Sequence, residues 1–159
     1  MPVVIALRPV HDADEDALFE QSRDPESVRM AAFTRPDPDD RAAFEAHRAR
    51  IRSRSDVIER AITVNGVLAG TIGCWVMAGD TEIAYWIDRA FWGRGIATVA
   101  LTRFLAEVPH RPIFARAAGD NIASLRVLAK ADFKIIKTQV AYAEARGTEI
   151  EESILRLDA

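Results

Sequence analysis

Hydrophobic residues recur along this chain with two different periods, so the sequence predicts a mixture of strands and helices. Apolar or β-branched residues at alternate positions are typical of strands, and apolar residues three or four positions apart are typical of helices. Strands are predicted at residues 3–10, 57–64, 67–77, 82–87, 112–117, 133–143 and 149–157. Helices are predicted at residues 14–23, 40–54, 97–108 and 121–131, with a shorter helical segment at residues 26–32.

The turns between these elements set the order of the strands. Asn65-Gly66 joins the second and third strands, and this dipeptide is a strong signal for a tight hairpin. Gly79-Asp80 turns the third strand into the fourth, so these three strands form an antiparallel meander. A crossover helix then makes the fifth strand parallel to the fourth. The predicted fold is a mixed α+β domain spanning residues 1–159, with a mostly antiparallel, twisted sheet of about seven strands flanked by four helices.

Composition fits one globular domain and argues against one class of function. Of the 159 residues, 49% are hydrophobic and 28% are charged, and the net charge is −3. A general nucleic-acid-binding protein is usually basic, so stable nucleic-acid binding is not expected. The arginines of the predicted helix 40–54 indicate either a solvated helix surface or contact with an acidic partner such as an RNA-rich particle.

The single cysteine and the lack of long apolar segments favour a cytoplasmic protein. Cys74 cannot form an internal disulfide, and its strand is apolar, so we expect a buried side chain and not a reactive thiol. Residues 1–8 show no basic stretch followed by a long apolar one, as a signal peptide would. No run approaches the roughly 20 apolar residues of a membrane span. The histidines are scattered without ligand spacing, so no metal site is expected.

A glycine-rich turn lies where the fourth strand gives way to the next helix. It reads Phe91-Trp92-Gly93-Arg94-Gly95-Ile96-Ala97-Thr98. Glycine lets the backbone turn and lets a ligand come close, and the free N–H groups at a helix start suit a phosphate. The turn lacks the Gly-Lys-Ser/Thr ending of the phosphate loop of nucleotide triphosphatases, and Thr98 stands where a dinucleotide-binding turn needs glycine or alanine. By itself the turn predicts a phosphate site of unspecified kind.

In its context, this turn resembles the acyl-CoA-binding motif of the GNAT superfamily of N-acetyltransferases. The family pattern, Arg/Gln-x-x-Gly-x-Gly/Ala, maps onto residues 92–97, where Gly95 and Ala97 match and Trp92 departs. The wider string, Tyr85-Trp86-Ile87 followed by residues 91–98, looks like the RimJ/RimL-like branch, which acetylates the N-termini of ribosomal proteins.

A second motif of the same family lies at the matching distance along the chain. Asn121-Ile122-Ala123-Ser124 matches Asn-x-x-Ser, and Lys130-Ala131-Asp132-Phe133 resembles the Lys-x-Gly-Phe end that follows it, with Asp132 in place of the glycine. The resemblance covers nearly the whole chain in element order. It implies a GNAT fold in which the fourth and fifth strands splay apart.

The resemblance implies acetyl-CoA as co-substrate and no metal. The diphosphate would lie on the glycine turn, and the pantetheine arm would pair with the open edge of the fourth strand. Asn121 would contact that arm, cap its helix, or do both. The residues implied in cofactor binding are Tyr85, Trp86, Ile87, Trp92, Gly93, Arg94, Gly95, Ile96, Ala97, Thr98, Asn121 and Ser124.

The resemblance also implies two catalytic residues. An amine must lose a proton to attack, and Glu82 is the implied general base; the alternative is a solvated charge at a strand end. The tyrosine with which many relatives protonate the leaving thiolate falls here at Leu128. Ser124 is then the implied donor, with Tyr142 in reserve, and the alternative is that Ser124 is only a small helix residue.

The implied acceptor is an amine-bearing small molecule or a protein N-terminus, which attacks directly in a ternary complex. Phe33, Trp75, Tyr85 and Trp86 either line its pocket or belong to the core. The alternative function is a catalytically silent acyl-CoA-binding or regulatory module, which the missing tyrosine at position 128 keeps open. No membrane partner is expected, and a homodimer is left open.

Overall fold

All predicted strands and helices are present in the computed structural model, which describes residues 2–159; Met1, part of the predicted domain, lies outside the described residues. The strands are β1 Ile5–Arg8, β2 Ile58–Val64, β3 Val67–Met77, β4 Asp80–Ile87, β5 Ile113–Ala118, β6 Lys134–Ala143 and β7 Thr148–Leu157. The helices are α1 Glu15–Arg23, α2 Pro25–Ala31, α3 Arg41–Ser53, α4 Ile96–Glu107 and α5 Ile122–Lys130. None of these described helices combines the length and apolar character needed to cross a membrane.

The two neighbouring strands β4 and β5, in the middle of the sheet, are paired along only part of their length. The strands of the sheet lie in the order β1-β2-β3-β4-β5-β7-β6, and every neighbouring pair is antiparallel except β4 and β5. The predicted meander, the parallel crossover and the mixed fold are therefore confirmed. β4 and β5 pair last at Ile83 and Ala115, although β4 continues to Ile87 and β5 to Ala118. Beyond the last pair the strands separate, as the resemblance implies, and a cleft opens.

The first strand, predicted at residues 3–10, is shorter and covers only Ile5–Arg8. Two further details differ from the prediction. The segment predicted at residues 26–32 is a full helix, α2, capped by Asp24, so five helices flank the sheet instead of four. The turn predicted at Gly79-Asp80 lies at Ala78 and Gly79, which both have positive φ, and Asp80 already begins β4. Both differences lie at element boundaries: α2 is shifted by one residue and β4 begins two residues earlier than predicted.

The two faces of β4 have different environments. Ile83 belongs to the main core, which α4 and α5 form with the sheet. Alternate residues of a strand face opposite sides, so Glu82 and Trp86 lie on the other face. The indole Nε1 of Trp86 donates to Gln21 O of α1 at 3.3 Å, so α1 packs on that second face. Residues 82–87 therefore present side chains both to α5 and to α1.

Cys74 lies in the main core, as predicted. It is 3% exposed, and burial raises the pKa of its thiol. The environment is that of a small buried apolar side chain, and not that of an activated nucleophile.

The arginines of α3 are mostly neutralised by carboxylates of this chain. Arg48 is 6% exposed and forms two hydrogen bonds with Glu59, at 2.7 and 2.8 Å. A wholly solvated helix surface is therefore the wrong interpretation for Arg48. Further ion pairs join Arg41 to Asp16 and Glu45, Arg52 to Glu15, and Arg54, directly after the helix, to Asp56. These pairs reduce the positive charge that α3 offers to an acidic partner.

Candidate active site

A cavity of about 720 Å³ opens where β4 and β5 separate. It is bounded by the end of β4, the starts of α4 and α5, and the C-terminal end of α2. Glu82 and every residue predicted to bind a cofactor line it, with the exception of Arg94. The fold thus brings residues from three separate parts of the chain to one space, while their roles remain predictions.

The glycine turn forms one end of the cavity. Gly93 and Gly95 have φ of 75° and 72°, a left-handed conformation that other residues adopt with strain. The first hydrogen bond of α4 runs from Val99 N to Gly95 O at 3.2 Å. The N–H groups of residues 96–98 therefore precede the bonded turns of the helix, where the positive end of its dipole adds to them. This end of the cavity suits an anionic group.

Trp92 braces this turn against the end of β4. Its indole Nε1 donates to Ile87 O at 2.9 Å, and the residue lines the cavity. Trp92, which stands where the family pattern has arginine or glutamine, therefore stabilises the contact between the turn and β4. Arg94 instead lies over the ring of Phe91, 5.5 Å from its centroid, and the structure does not bring it to the cavity wall.

The open edge of β4 runs along the cavity. From Ala84 to Ile87 the strand pairs with β3 but no longer with β5. Backbone N–H and C=O groups on the β5 side of this stretch therefore face the cleft. An extended ligand that carries amides can pair with such an edge as an added strand does.

Asn121 caps α5 and also ties it to α2. Its Oδ1 accepts a hydrogen bond from Ser124 N at 3.2 Å, and its Nδ2 donates to Met30 O at 3.4 Å. The sequence predicts Asn121 as a helix cap, as a contact to the cofactor, or as both, and the helix cap is present. Asn121 lines the cavity as well, so contact with a ligand stays a prediction.

The hydroxyl of Ser124 meets the phenol of Tyr85, with Oγ and Oη 2.9 Å apart. Both residues line the cavity. Burial raises the pKa of Tyr85, and the hydrogen bond with Ser124 acts against that rise. Sequence reasoning assigned Tyr85 to the strand edge and the pocket wall but missed its phenol, because no local pattern shows how β4 faces α5.

Two other positions considered for the leaving-group donor lie outside the cavity. Leu128 is 2% exposed and packs in the main core. Tyr142 lies on β6, is 56% exposed and is not among the residues that line the cavity. The structure therefore does not support Tyr142 as a reserve donor.

Glu82 is buried, so the alternative of a solvated strand-end charge is wrong. It is 4% exposed, and its Oε1 accepts a hydrogen bond from Arg116 Nε of β5 at 3.2 Å. Arg116 Nη1 lies 3.6 Å from Glu152 Oε1 of β7, which also accepts from Gln139 Nε2 of β6 at 2.9 Å. A polar row therefore crosses four strands beneath the cavity. Its members Arg116 and Glu152 were not predicted, since only the strand register places them beside Glu82.

The turn after α2 forms a further wall of the cavity. Ala32 is fully buried with φ of 66°, and Phe33 N donates to Ala31 O at 2.7 Å, so the chain reverses sharply there. The cavity residues on this side are Met30, Phe33, Thr34, Trp75 and Trp86. The four aromatic residues that the sequence assigns either to the acceptor pocket or to the core are thus half-buried residues of the cavity wall.

Contacts from a distant loop hold this wall in place. Arg146, between β6 and β7, donates from Nε to Arg29 O at 2.7 Å and pairs with Asp120 at 2.8 Å. Ala145 N donates to Ala32 O at 3.1 Å. The position of the wall therefore depends on residues more than a hundred positions away in the chain.

One family model matches most of the chain. Its description is "Acetyltransferase (GNAT) domain", and it matches residues 5–134. No curated protein matches the sequence significantly.

Several solved structures share the fold. RimJ of Mycobacterium smegmatis in complex with CoA-disulfide is 24% identical over 98% of this chain and 82% of its own, with a TM-score of 0.81. Spermidine N-acetyltransferase of Vibrio cholerae in complex with CoA and spermine is 12% identical over 97% of this chain and 95% of its own, with a TM-score of 0.84. The yncA protein of Salmonella typhimurium with acetyl-CoA is 19% identical over 97% and 93%, with a TM-score of 0.73. At these identities the likeness shows the fold alone.

Proposed function

Because the chain belongs to the GNAT acetyltransferase family, we propose that it transfers an acetyl group from acetyl-CoA to a primary amine. One observation carries the proposal: a single cavity joins the glycine turn at the start of α4 to the buried carboxylate of Glu82. This arrangement supports a donor with an anionic diphosphate at the glycine turn and an acceptor amine beside Glu82.

The lining of the cavity fits acetyl-CoA, which supplies an acetyl group activated as a thioester. Backbone N–H groups of residues 93–98 would hold the diphosphate. The space above Gly93 and Gly95 is open, because a Cβ at either position would meet no atom within 4 Å. The free edge from Ala84 to Ile87 would pair with the amides of the pantetheine arm.

Glu82 is the proposed general base, acting directly or through a water. Neutralising a lysine-type amine at pH 7 costs about 4–5 kcal/mol, and an α-amine about 1 kcal/mol, so a base is worth most for the former. Arg116 holds one oxygen of Glu82, which fixes the orientation of the carboxylate. A backbone N–H near Trp86 would donate to the acetyl oxygen, and Ser124 to the departing sulfur.

The proposed acceptor is an amine on a small molecule or at a protein N-terminus. The pattern of residues 85–98 favours N-termini, whereas the Vibrio cholerae neighbour acts on spermidine. The acceptor side of the cavity has aromatic walls, and it contains two acidic side chains, Glu82 and Glu152, and one basic side chain, Arg116. This balance favours a cationic group over an anionic one.

The second candidate is an acyl-CoA-binding module without catalysis. Leu128 favours it, because this buried side chain stands where many relatives have a catalytic tyrosine. On this alternative the cavity binds acetyl-CoA, and Glu82 serves only in the ion pair with Arg116.

Thiol release from acetyl-CoA separates the two candidates. The purified protein is mixed with acetyl-CoA and, in turn, spermidine, tyramine and peptides with free N-termini, and the products are identified by mass. Acetyl transfer to at least one amine is expected. If the protein binds acetyl-CoA but releases no CoA thiol with any of the amines, the silent module is favoured. If it does not bind acetyl-CoA, both candidate functions are rejected.

A further inference from the structure

The hydroxyls of Tyr85 and Ser124 lie 2.9 Å apart in the cleft between β4 and α5. We propose that Tyr85 is a positioning residue that donates a hydrogen bond to Ser124 Oγ and so directs the Ser124 hydroxyl proton toward the sulfur of the leaving thiolate. The inference rests on the proposed acetyl transfer. On this view two hydroxyls from different elements replace the single tyrosine missing at Leu128.

Two separate elements fix the pair. Tyr85 shares a face of β4 with Ile83, which is in the main core, so its side chain extends toward α4 and α5. Ser124 is held at the start of α5 by the cap, because its N–H donates to Asn121 Oδ1 at 3.2 Å. The contact therefore joins a paired strand to a capped helix start, and both hydroxyls border the cavity.

Either hydroxyl can donate in this contact, and the proposed direction rests on acidity: a phenol is a stronger acid than an aliphatic alcohol and is therefore the better donor. A serine hydroxyl has one proton and two lone pairs, so Ser124 can accept from Tyr85 and still donate to a ligand. Burial raises the pKa of Tyr85 from its ordinary value of about 10, whereas an ordinary thiol has a pKa of about 8.5. Proton transfer from Tyr85 to the sulfur is therefore unfavourable, and the phenol acts as a neutral donor to Ser124.

The step balances with the groups already named. The new C–N bond forms as the C–S bond of the thioester breaks, and the electron pair of the broken bond stays on the sulfur. Ser124 donates a hydrogen bond to that sulfur, and Glu82 receives the proton that the amine loses. Water supplies the proton that converts the thiolate to the thiol.

Kinetics of Tyr85→Phe, Ser124→Ala and the double variant test the inference. Tyr85→Phe keeps the ring and removes the hydroxyl, so kcat is expected to fall roughly tenfold, the effect of one neutral hydrogen bond in the transition state. The KM for acetyl-CoA is expected to stay within about twofold. In the Ser124→Ala background, Tyr85→Phe is expected to cause no further fall, because Tyr85 acts through that serine.

Tyr142→Phe is the matched control, since the chain has only two tyrosines and Tyr142 is exposed and away from the cavity. It is expected to keep full activity. Full kcat in Tyr85→Phe, or an equal fall with and without Ser124, would overturn the inference while acetyl transfer stands. A wild-type protein that acetylates no amine would overturn the proposed function and the inference together.

Discussion

Glu82 and Arg116 form an ion pair between β4 and β5, next to the last paired residues, with Oε1 and Nε 3.2 Å apart. The strands separate one residue beyond Glu82, so the pair stands at the point where the cleft begins. The guanidinium also lies 3.6 Å from Glu152. A buried carboxylate needs such partners, because an unpaired charge is strongly disfavoured away from water. The ion pair therefore allows Glu82 to border an apolar cavity.

Glu82→Gln is expected to lower kcat for acetyl transfer by roughly 10²–10⁴, the usual contribution of a general base. Affinity for acetyl-CoA is expected to persist, because the donor end of the cavity is unchanged. The rate is expected to recover in part at high pH, where the amine loses its proton without help. Steady-state kinetics between neutral and alkaline pH, with calorimetry for acetyl-CoA, provide the measurement.

Glu149→Gln is the control for that variant, because Glu149 is an exposed carboxylate on β7 outside the cavity. It is expected to leave the rate and its pH dependence unchanged. Wild-type activity of Glu82→Gln at neutral pH would reject Glu82 as the base.

The sheet and helices were predictable because they depend on local patterns. Period-two alternation placed the strands within a few residues, and Asn65-Gly66 set the first hairpin. Cap chemistry placed the start of α5 to within about one residue, and Asn121 is its cap. The short helix α2 was only partly predicted, since it has too few residues for a clear period.

The predicted residues of the cavity wall lie in short local segments: the end of β4, the glycine turn and the motif that starts α5. The glycine turn at residues 93–98 is one local segment, and all but Arg94 of its residues line the cavity. The partners of Glu82 and Tyr85 lie on other elements, so they depend on strand register and on helix position. The wall around Phe33 depends on Arg146, whose contacts cross the whole chain. No local pattern reports such relationships.

Titration of Tyr85 provides a direct measure of its hydrogen bond. In the Tyr142→Phe background Tyr85 is the only tyrosine, so ultraviolet absorbance of the phenolate reports it alone. Burial raises the pKa of Tyr85, so ionisation is expected above the ordinary value of about 10. Adding Ser124→Ala is expected to raise the pKa further, because the Ser124 hydroxyl can turn and donate to the phenolate once Tyr85 ionises, which lowers the pKa in the wild type. An unchanged pKa in that variant would mean that the two hydroxyls do not interact in solution.

The Arg8–Asp14 ion pair is expected to make the free energy of unfolding depend on pH in the acidic range. Arg8 donates to both carboxylate oxygens of Asp14, at 2.8 and 2.9 Å, and lowers the pKa of Asp14 to about 2. The unfolded chain takes up the proton at higher pH, so the stabilisation is present above about pH 4 and is lost as pH falls toward 2. At neutral pH the lowered pKa of Asp14 contributes about 2 kcal/mol to the free energy of unfolding.

Asp14→Asn measures this contribution. Urea unfolding at neutral pH is expected to show a loss of about 2 kcal/mol relative to wild type, and the difference is expected to shrink toward pH 3. Asp80→Asn, at the start of β4, serves as the control carboxylate, because Asp80 is exposed. A difference for Asp14→Asn that stays constant with pH would show that Arg8 does not favour the ionised carboxylate.

Substitution of Gly95 separates backbone strain from ligand contact. Gly95 and Gly66 have φ of 72° and 81°, and an added Cβ would meet no atom within 4 Å at either position. Alanine at each is therefore expected to lower stability by a similar amount, about 1 kcal/mol, from the left-handed backbone alone. Only Gly95→Ala places the new methyl in the space proposed for the diphosphate, so only it is expected to raise the Kd for acetyl-CoA, by roughly tenfold. Calorimetric titration of both variants makes the comparison, and equal affinities would exclude the turn as the diphosphate site.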